Sequence, residues 1–430
     1  MSKFKKNDSK RNTPSSIRVI NMEVDPQLLV CILHRLEENI ELRQKLLQSS
    51  ALTSDLEIDV ENILARLSDY ASEIPRSIAG PKKVRIYMAA CMDIIHSGHF
   101  NCMRQARALG DELVVGVISD EEIRRCKGPP VMAQDERYAM AAACKWADTV
   151  INGVEYYVTP EILQRAGCDY VVHGDDLAIR KDTGTDAYAD VRQAGLLKVV
   201  KRTEGISTTE IVGKMLLMTQ GETIESESLP ASQISHSPSA SKFLATARRI
   251  TQFSSNKSPG PEDKIVYIDG TFDMLHKGHV ETLKKAKELG DYLIVGVHDD
   301  KTANFHKGKN YPIMNLHERT LNLLAMRYVD DVIMGAPWEV TQDMIKTLNI
   351  GLVVQGSNHK NASDENPSED PYRVAKELGI YTEVESETMI NTEDIVDRIV
   401  ANRLQYVQRN KRMVENEVNY YAHKQYVAEI

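Results

Sequence analysis

The sequence has 430 residues, of which 42% are hydrophobic and 27% charged, and its formal net charge is -9. These values are ordinary for a globular protein of two or three domains, and the acidic balance argues against a nucleic-acid binder, which usually carries a basic stripe. No apolar stretch approaches the roughly 18 residues of a membrane-spanning helix, and we expect no signal peptide. The six cysteines form no Cys-x-x-Cys pair, so we expect a reducing compartment, no disulfides and no protein-bound metal site.

Residues 1–80 are predicted to form a disordered start followed by a helical extension. Residues 1–16 are polar, and apolar side chains recur at helical spacing in two stretches between 25 and 75. We interpret the extension as a helical hairpin that covers a domain edge or mediates a homodimer. Acidic residues dominate its polar positions, which disfavours a membrane-surface helix.

The tetrapeptide His-x-Gly-His occurs twice, at 96–99 and at 276–279. Each copy follows a short apolar run and opens a helical pattern. Behind each copy the same short motifs recur in the same order, namely Leu-Gly-Asp, Val-Gly-Val, Lys-Gly, Glu-Arg and Val-Val-x-Gly. The chain is therefore an internal duplication, and we predict a first domain at 82–218 and a second at 263–400.

The segments around the two domains have a different composition. The stretch 219–262 is rich in Ser and Pro, which predicts a linker, with a short helix near 241–252. Residues 401–430 are polar with a few apolar positions at mixed helical spacing. We expect a C-terminal helix there.

Within the first domain, short apolar runs alternate with helical patterns. We predict strands at 84–88, 113–117, 149–151 and 170–172. We predict one helix that follows the histidine motif and runs through Ala108, and another near 160–166. Continuous apolar strands are typical of a parallel sheet that has helices on both faces. The sequence therefore predicts an α/β fold with two Rossmann-like domains, each built on an open parallel sheet.

The histidine motif is suited to binding phosphate. The first turn of a helix has unpaired N–H groups and partial positive charge, and the central glycine allows a close approach. Two imidazoles spaced by three residues lie on one side of that turn and can both donate to phosphate oxygens. Zinc also uses paired histidines, but no further ligands of fitting spacing lie nearby. Lys127 and Lys307 each precede a glycine in register, which favours a charge partner for a triphosphate over a solvated loop lysine.

Two more segments of the first domain carry polar groups. Arg202, Thr203 and Ser207 precede a helix expected to start near Glu210; Ser or Thr there is commonly just an N-cap, but the arginine indicates a second anion cradle. The segment His173–Asp176 follows a strand. It is either a simple turn or part of a ligand site, because open α/β sheets bind ligands at the carboxyl ends of their strands.

The sequence resembles the cytidylyltransferase family in these motifs, together with Asp269-Gly270-Thr271-Phe272-Asp273 before the second histidine pair and Arg202-Thr203-x-Gly205-Ile206-Ser207-Thr208-Thr209. Tandem domains are typical of the members that act on ethanolamine phosphate, whereas choline-phosphate relatives typically have one domain and an amphipathic membrane helix. The resemblance implies nucleotidyltransferase domains that transfer CMP from CTP to ethanolamine phosphate, giving CDP-ethanolamine and pyrophosphate for phosphatidylethanolamine synthesis. It also implies Mg²⁺ bound with CTP, and a cytoplasmic protein that is either free or peripheral at the endoplasmic reticulum.

The resemblance also implies roles for individual residues. The expected catalytic residues are His96, His99, Lys127 and Arg202. Asp93 is expected to orient the site or to help hold Mg²⁺. The expected nucleotide-binding residues are Cys91, Met92, Asp93, His173, Gly174, Asp175, Thr203, Ser207, Thr208, Thr271, Phe272, His276, His279, Lys307, Gln355 and Gly356.

Each domain departs from the family pattern. The first has Ala90 where the second has Gly270, and this Ala is expected to crowd the phosphates if the backbone there needs a positive φ or a close approach. The second has Glu385, Ser386, Glu387 and Asn391 where the first has Lys201, Arg202, Thr203 and Ser207. Because carboxylates repel a triphosphate, the first domain is the better catalytic candidate. Two alternatives stay open: a nucleotide-binding scaffold with little activity, and a choline-phosphate enzyme.

Overall fold

The structure, a computed structural model, describes residues 83–180, 182–218, 241–308, 311–356, 370–388, 390–424 and 426–430. The predicted N-terminal extension lies outside these residues, as does the first half of the predicted linker. In the second half of that linker, the chain forms a helix at Ser241–Phe253. The domain boundaries derived from the sequence stay predictions.

The first domain is a five-stranded parallel sheet with helices between its strands. The strands are β1 (Arg85–Ala90), β2 (Glu112–Ile118), β3 (Thr149–Val154), β4 (Tyr170–Gly174) and β5 (Leu197–Val200). The helices are α1 (Ser97–Arg107), α2 (Asp120–Cys126), α3 (Gln134–Ala143), α4 (Pro160–Arg165), α5 (Ala189–Gln193) and α6 (Thr208–Met218). The strand order is β3-β2-β1-β4-β5, so the order reverses between β1 and β4.

The second domain follows the helix α7 (Ser241–Phe253) and repeats this topology. Its strands are β6 (Ile265–Gly270), β7 (Tyr292–Val297), β8 (Asp331–Met334), β9 (Ile350–Gly356) and β10 (Tyr381–Val384). Its helices are α8 (Lys277–Lys287), α9 (Asp300–Lys307), α10 (Leu316–Leu324), α11 (Gln342–Thr347), α12 (Arg373–Glu377) and α13 (Thr392–Ala401), followed by α14 (Arg403–His423). The order β10-β9-β6-β7-β8 matches the first sheet. The predicted α/β fold with two Rossmann-like sheets is confirmed.

The repeated Val-Gly-Val motif has a packing cause in both sheets. A Cβ atom added to Gly116 would overlap the hydroxyl of Tyr87, and one added to Gly296 would overlap that of Tyr267. Both tyrosines lie on the neighbouring central strand and are almost fully buried. Only glycine leaves room for a phenol there, so the motif serves the core rather than the ligand site.

The two sheets share one apolar core. Cys144 and Met326 form an isolated antiparallel bridge between the domains, and buried residues of both sheets belong to one cluster. The linker helix joins it through Phe253, which packs edge-on against Trp146 with ring centroids 5.0 Å apart. At the far end of the chain, α14 returns to the first domain and packs on α6.

Candidate active site

The loop between β1 and α1 lies at the reversal point of the strand order, where open α/β sheets bind ligands. Met92 and Ile94 have φ angles of 53° and 50°, and the equivalent Phe272 and Met274 both have 50°. Left-handed backbone at residues other than glycine is strained and is typical of functional loops. The same two strained positions occur in both domains, so this conformation is part of the duplicated unit.

The histidine pair is held in one tautomeric state by the backbone. The Gly98 N–H donates to Nδ1 of His96 at 3.1 Å, and the His96 N–H donates to Nδ1 of His99 at 3.3 Å. Because each Nδ1 accepts a hydrogen bond, each neutral ring carries its proton on Nε2. The rings lie 4.1 Å apart, centroid to centroid. The pair therefore presents two Nε2–H donors, which suits phosphate oxygens.

Both histidines are held neutral. Burial lowers the pKa of His99 to about 4, helped by the cations of Lys127 and Arg202 and opposed by Asp93. Burial also holds the pKa of His96 well below its usual value, and His99, Arg202 and Lys127 lower it further. The two cations thus act on the two imidazoles from close range. The four residues expected to be catalytic lie together at one site, where two cations and two neutral imidazole donors would attract a polyanion.

Asp93 fixes the loop, and protein donors contact both of its carboxylate oxygens. Its Oδ1 accepts hydrogen bonds from the N–H groups of Val131 at 2.9 Å and Met132 at 3.0 Å. Its Oδ2 accepts from Nη2 of Arg409 on α14 at 2.9 Å. Asp93 is 1% exposed. The geometry therefore favours the orienting role that we expected over the Mg²⁺ role.

The segment after β5 supplies the second cradle. Ser207 caps α6 by accepting from the Glu210 N–H at 3.1 Å, so the helix starts at Thr208 rather than near Glu210. The Thr208 hydroxyl donates to the Asp93 carbonyl at 3.2 Å, which ties this segment to the histidine loop. Thr203 accepts from Asn101 of α1 at 3.0 Å. The two predicted phosphate segments thus form one continuous surface.

The polar segment at the end of β4 joins the same surface. The Arg202 N–H donates to Oδ1 of Asp175 at 3.0 Å. Burial alone would raise the pKa of Asp176, but His173 and Arg202 outweigh it and hold the pKa below its usual value. A Cβ atom at Gly174 would lie 2.6 Å from Oδ1 of Asp176, so the glycine is needed for this carboxylate to approach. The His173 ring packs on Tyr188, with centroids 4.5 Å apart.

Two predicted nucleotide-binding residues direct their side chains away from this surface. Met92 is 1% exposed and lies in the shared core. Cys91 packs against the apolar cluster on the other side of the sheet, and its carbonyl accepts from Arg137 at 2.6 Å. Met92 therefore offers only its backbone to a ligand. The backbone at this position of the loop does not need a positive φ, because neither Ala90 nor Gly270 has one.

The front of the second domain reproduces the histidine site. The rings of His276 and His279 lie 3.8 Å apart, and Phe272 lies 5.5 Å from His279. Asp273 accepts from two backbone N–H groups as Asp93 does. Burial nevertheless raises the pKa of Asp273, although those N–H groups, Arg319 and Lys307 oppose the shift. The Thr271 carbonyl accepts from Arg319 at 2.6 Å.

The back of the second domain lacks the anion cradle. The position equivalent to Arg202 is Ser386, whose hydroxyl donates to Glu281 at 2.9 Å. Glu387 is paired with Lys285 at 3.7 Å. Gln355 accepts from the Tyr381 hydroxyl at 2.6 Å, and a Cβ atom at Gly356 would lie 3.2 Å from Thr282. These contacts satisfy the polar groups internally and leave a neutral hydroxyl where the first domain has the Arg202 cation.

Sequence reasoning missed several residues that position the site. Arg137 is fully buried, and its guanidinium donates to the carbonyls of Cys91, Ile118 and Met132. The repeated Glu-Arg pair was the available signal, because Arg319 does the same in the second domain. Arg409 on α14 was missed as well, and no repeat or local motif marks it.

Among the described residues, no group of three or more His, Cys, Asp or Glu side chains is arranged to hold a metal ion. Within the same ranges, no helix is long and apolar enough to cross a membrane. The polar surface of the first domain consists instead of imidazole donors, two cations and a capped helix start. Such a set is suited to a nucleotide triphosphate.

Fold and site together define a nucleotide-binding α/β protein, and comparisons with known proteins give its family. A profile of the family described as Cytidylyltransferase-like matches residues 87–214 and 267–414. The chain therefore belongs to the cytidylyltransferase-like family. It is 49% identical over 350 residues to the ethanolamine-phosphate cytidylyltransferase of Dictyostelium discoideum, covering 79% of this chain and 97% of that protein.

Two further relatives bear on the acceptor. The ethanolamine-phosphate cytidylyltransferase of Arabidopsis thaliana is 47% identical over 368 residues, covering 81% of this chain and 87% of that protein. The choline-phosphate cytidylyltransferase A of Homo sapiens is 32% identical over 171 residues, covering 39% of this chain and 46% of that protein. The similarity to ethanolamine-phosphate enzymes therefore extends over both domains, whereas that to the choline-phosphate enzyme is partial.

Proposed function

We propose that the protein is an ethanolamine-phosphate cytidylyltransferase, which transfers CMP from CTP to ethanolamine phosphate and releases CDP-ethanolamine and pyrophosphate. The observation that carries this proposal is the cluster of two Nε2–H imidazoles with Lys127 and Arg202 at the strand reversal point of the first domain. The extent of similarity to ethanolamine-phosphate enzymes supports the choice of acceptor.

The reaction needs positioning and charge neutralisation rather than a covalent intermediate. A phosphate oxygen of ethanolamine phosphate attacks the α-phosphorus of CTP, and the bond to the β-phosphate oxygen breaks as pyrophosphate leaves with its electron pair. His96 and His99 donate from Nε2 to phosphate oxygens. Lys127 and Arg202 offset the charge that builds on the leaving pyrophosphate. Fixed donors in a water-poor site stabilise such a transition state at little reorganisation cost.

Mg²⁺ enters as part of the substrate complex with CTP. Both oxygens of Asp93 are occupied by protein donors, and the described residues offer no three-ligand cluster. The triphosphate itself supplies oxygen ligands, which Mg²⁺ prefers. We therefore assign the ion to the nucleotide rather than to a resident protein site.

The first domain carries the activity in this proposal, and the second binds nucleotide weakly or regulates. The reason is the loss of the anion cradle in the second domain, where Ser386 replaces Arg202. The location, free in the cytoplasm or peripheral at the endoplasmic reticulum, and the homodimer stay predictions. Cell fractionation and sedimentation of the full chain test them.

The test is turnover of radiolabelled CTP with Mg²⁺ against a panel of phosphorylated amino alcohols. The proposal predicts CDP-ethanolamine as the main product, with choline phosphate a poor competitor. If the protein prefers choline phosphate, the proposed acceptor is wrong. Binding of CTP without any product would make it a scaffold.

A further inference from the structure

Helix α14 lies across the phosphate cradle of the first domain. Oε1 of Glu417 accepts from Nη2 of Arg202 at 2.9 Å, and Oε2 accepts from the hydroxyl of Ser207 at 3.4 Å. The proposed function assigns Arg202 to the CTP phosphates, and Ser207 is one of the expected nucleotide-binding residues. A carboxylate of the chain itself therefore occupies an anion position of the site.

Neighbouring residues of α14 close the site from the same side. The guanidinium of Arg202 lies over the Tyr420 ring, 5.1 Å from its centroid, and the Tyr420 hydroxyl donates to Asp175 at 2.9 Å. Lys127 and Thr208 line a void of about 40 Å³ whose other walls include Arg409 and other α14 residues. That volume accommodates water but not a triphosphate. Helix α14 therefore contacts the site on both its Lys127 side and its Arg202 side.

The two halves of α14 are fastened with unequal strength. The first half is anchored by Tyr406 and Arg409, which are 4% and 6% exposed. The second half is held by the Arg202–Glu417 ion pair, whose side chains are 23% and 25% exposed, by the Tyr420–Asp175 hydrogen bond and by an ion pair between Lys424 and Glu204. Partly exposed pairs contribute little net stability. Moving Glu417 off Arg202 therefore breaks a partly exposed pair, whereas undocking the first half would expose buried side chains.

We propose that α14 is an inhibitory strap, in which the Glu417 carboxylate competes with the phosphates of CTP for Arg202 and Ser207. The nucleotide must displace this carboxylate before it binds. The strap therefore lowers the apparent affinity for CTP by a factor set by the equilibrium between the closed and the displaced positions of Glu417. It leaves the chemical step unchanged. This proposal rests on the proposed function for the identity of the nucleotide.

The test compares Glu417→Gln with Glu415→Gln in the full chain. Glu415 is exposed on the same helix, so its substitution removes the same charge without touching the cradle. Calorimetry measures the Kd for CTP with Mg²⁺, and steady-state assays with ethanolamine phosphate measure KM and kcat. Because a partly exposed ion pair is lost, Glu417→Gln should lower both the Kd and the KM for CTP roughly five-fold, with unchanged kcat. Glu415→Gln should match the wild type.

The outcomes separate the strap from the reaction. If CTP binding tightens in Glu417→Gln but no variant forms CDP-ethanolamine, the strap stands and the proposed reaction fails. Unchanged or weaker CTP binding in a Glu417→Gln protein with wild-type circular dichroism would overturn the strap, as would an equal gain in Glu415→Gln. Absence of CTP binding in all three proteins would overturn both proposals.

Discussion

The buried ion pair between Asp93 and Arg409 joins the histidine loop to a helix more than three hundred residues away in the sequence. The two residues are 1% and 6% exposed, and their contact is 2.9 Å. Substituting Arg409→Met keeps an apolar stem but leaves the carboxylate without a cation. Removing one partner of a buried pair typically costs about 3–5 kcal/mol. We expect Arg409→Met to lower the free energy of unfolding by about 3 kcal/mol at pH 7, near the lower end of that range. The reason is that Val131 and Met132 still donate to Asp93.

The second domain shows what the variant site would resemble. Asp273 has two backbone donors, and burial raises its pKa. A carboxyl group with a raised folded-state pKa stabilises the fold below its unfolded pKa, and this stability is lost as pH rises through the folded value. The difference in the free energy of unfolding between wild type and Arg409→Met, called the deficit below, should therefore shrink when the pH is lowered from 7 toward 4.

Urea denaturation of the full chain at several pH values measures this deficit. Lys411→Met is the control, because Lys411 is exposed on the same helix and carries the same charge. A deficit below about 1 kcal/mol at pH 7 would refute the reasoning, since exposed pairs reach that value. So would a deficit that grows as the pH falls.

Three further predictions concern the histidine sites. His96→Ala and His99→Ala should each lower turnover at least about 100-fold, because each removes one donor to the transition state. His276→Ala should have a small effect. If instead only His276→Ala lowers turnover, the activity belongs to the second domain. Because folded His99 has a pKa near 4 against about 6.5 when unfolded, wild-type stability should fall as pH drops from about 6.5 to 4, and denaturation of His99→Gln should show a shallower fall. Gly98→Ala would place a Cβ atom 2.8 Å from Cε1 of His96, so kcat should drop while Gly278→Ala leaves turnover near wild type.

Much of the fold could be predicted because the signals are local. Continuous apolar runs such as 113–117 predict buried parallel strands, and the duplicated motifs show that both domains repeat one topology. The histidine pair and Lys127 could be found for the same reason, since each is marked by an in-register copy. The predicted strand 149–151 ended too early, because β3 continues through Gly153, which has a φ of 77°.

The rest depended on tertiary contacts that no local pattern marks. The α14 partners of Asp93 and Arg202 lie outside the duplicated motifs. The sequence of the C-terminal tail predicts a polar helix whose few apolar residues have mixed spacing. Its polar residues therefore gave no indication of which part of the protein the helix contacts. Met92 was assigned to the nucleotide from its place in the loop, but a positive φ directs its side chain into the core.

The most direct measurement is a crystal structure of the full chain with CTP and Mg²⁺. The account predicts triphosphate oxygens within hydrogen-bond distance of Nε2 of His96 and His99 in the first domain, with Glu417 displaced from Arg202. A nucleotide bound elsewhere, with the first crevice still closed by α14, would contradict it.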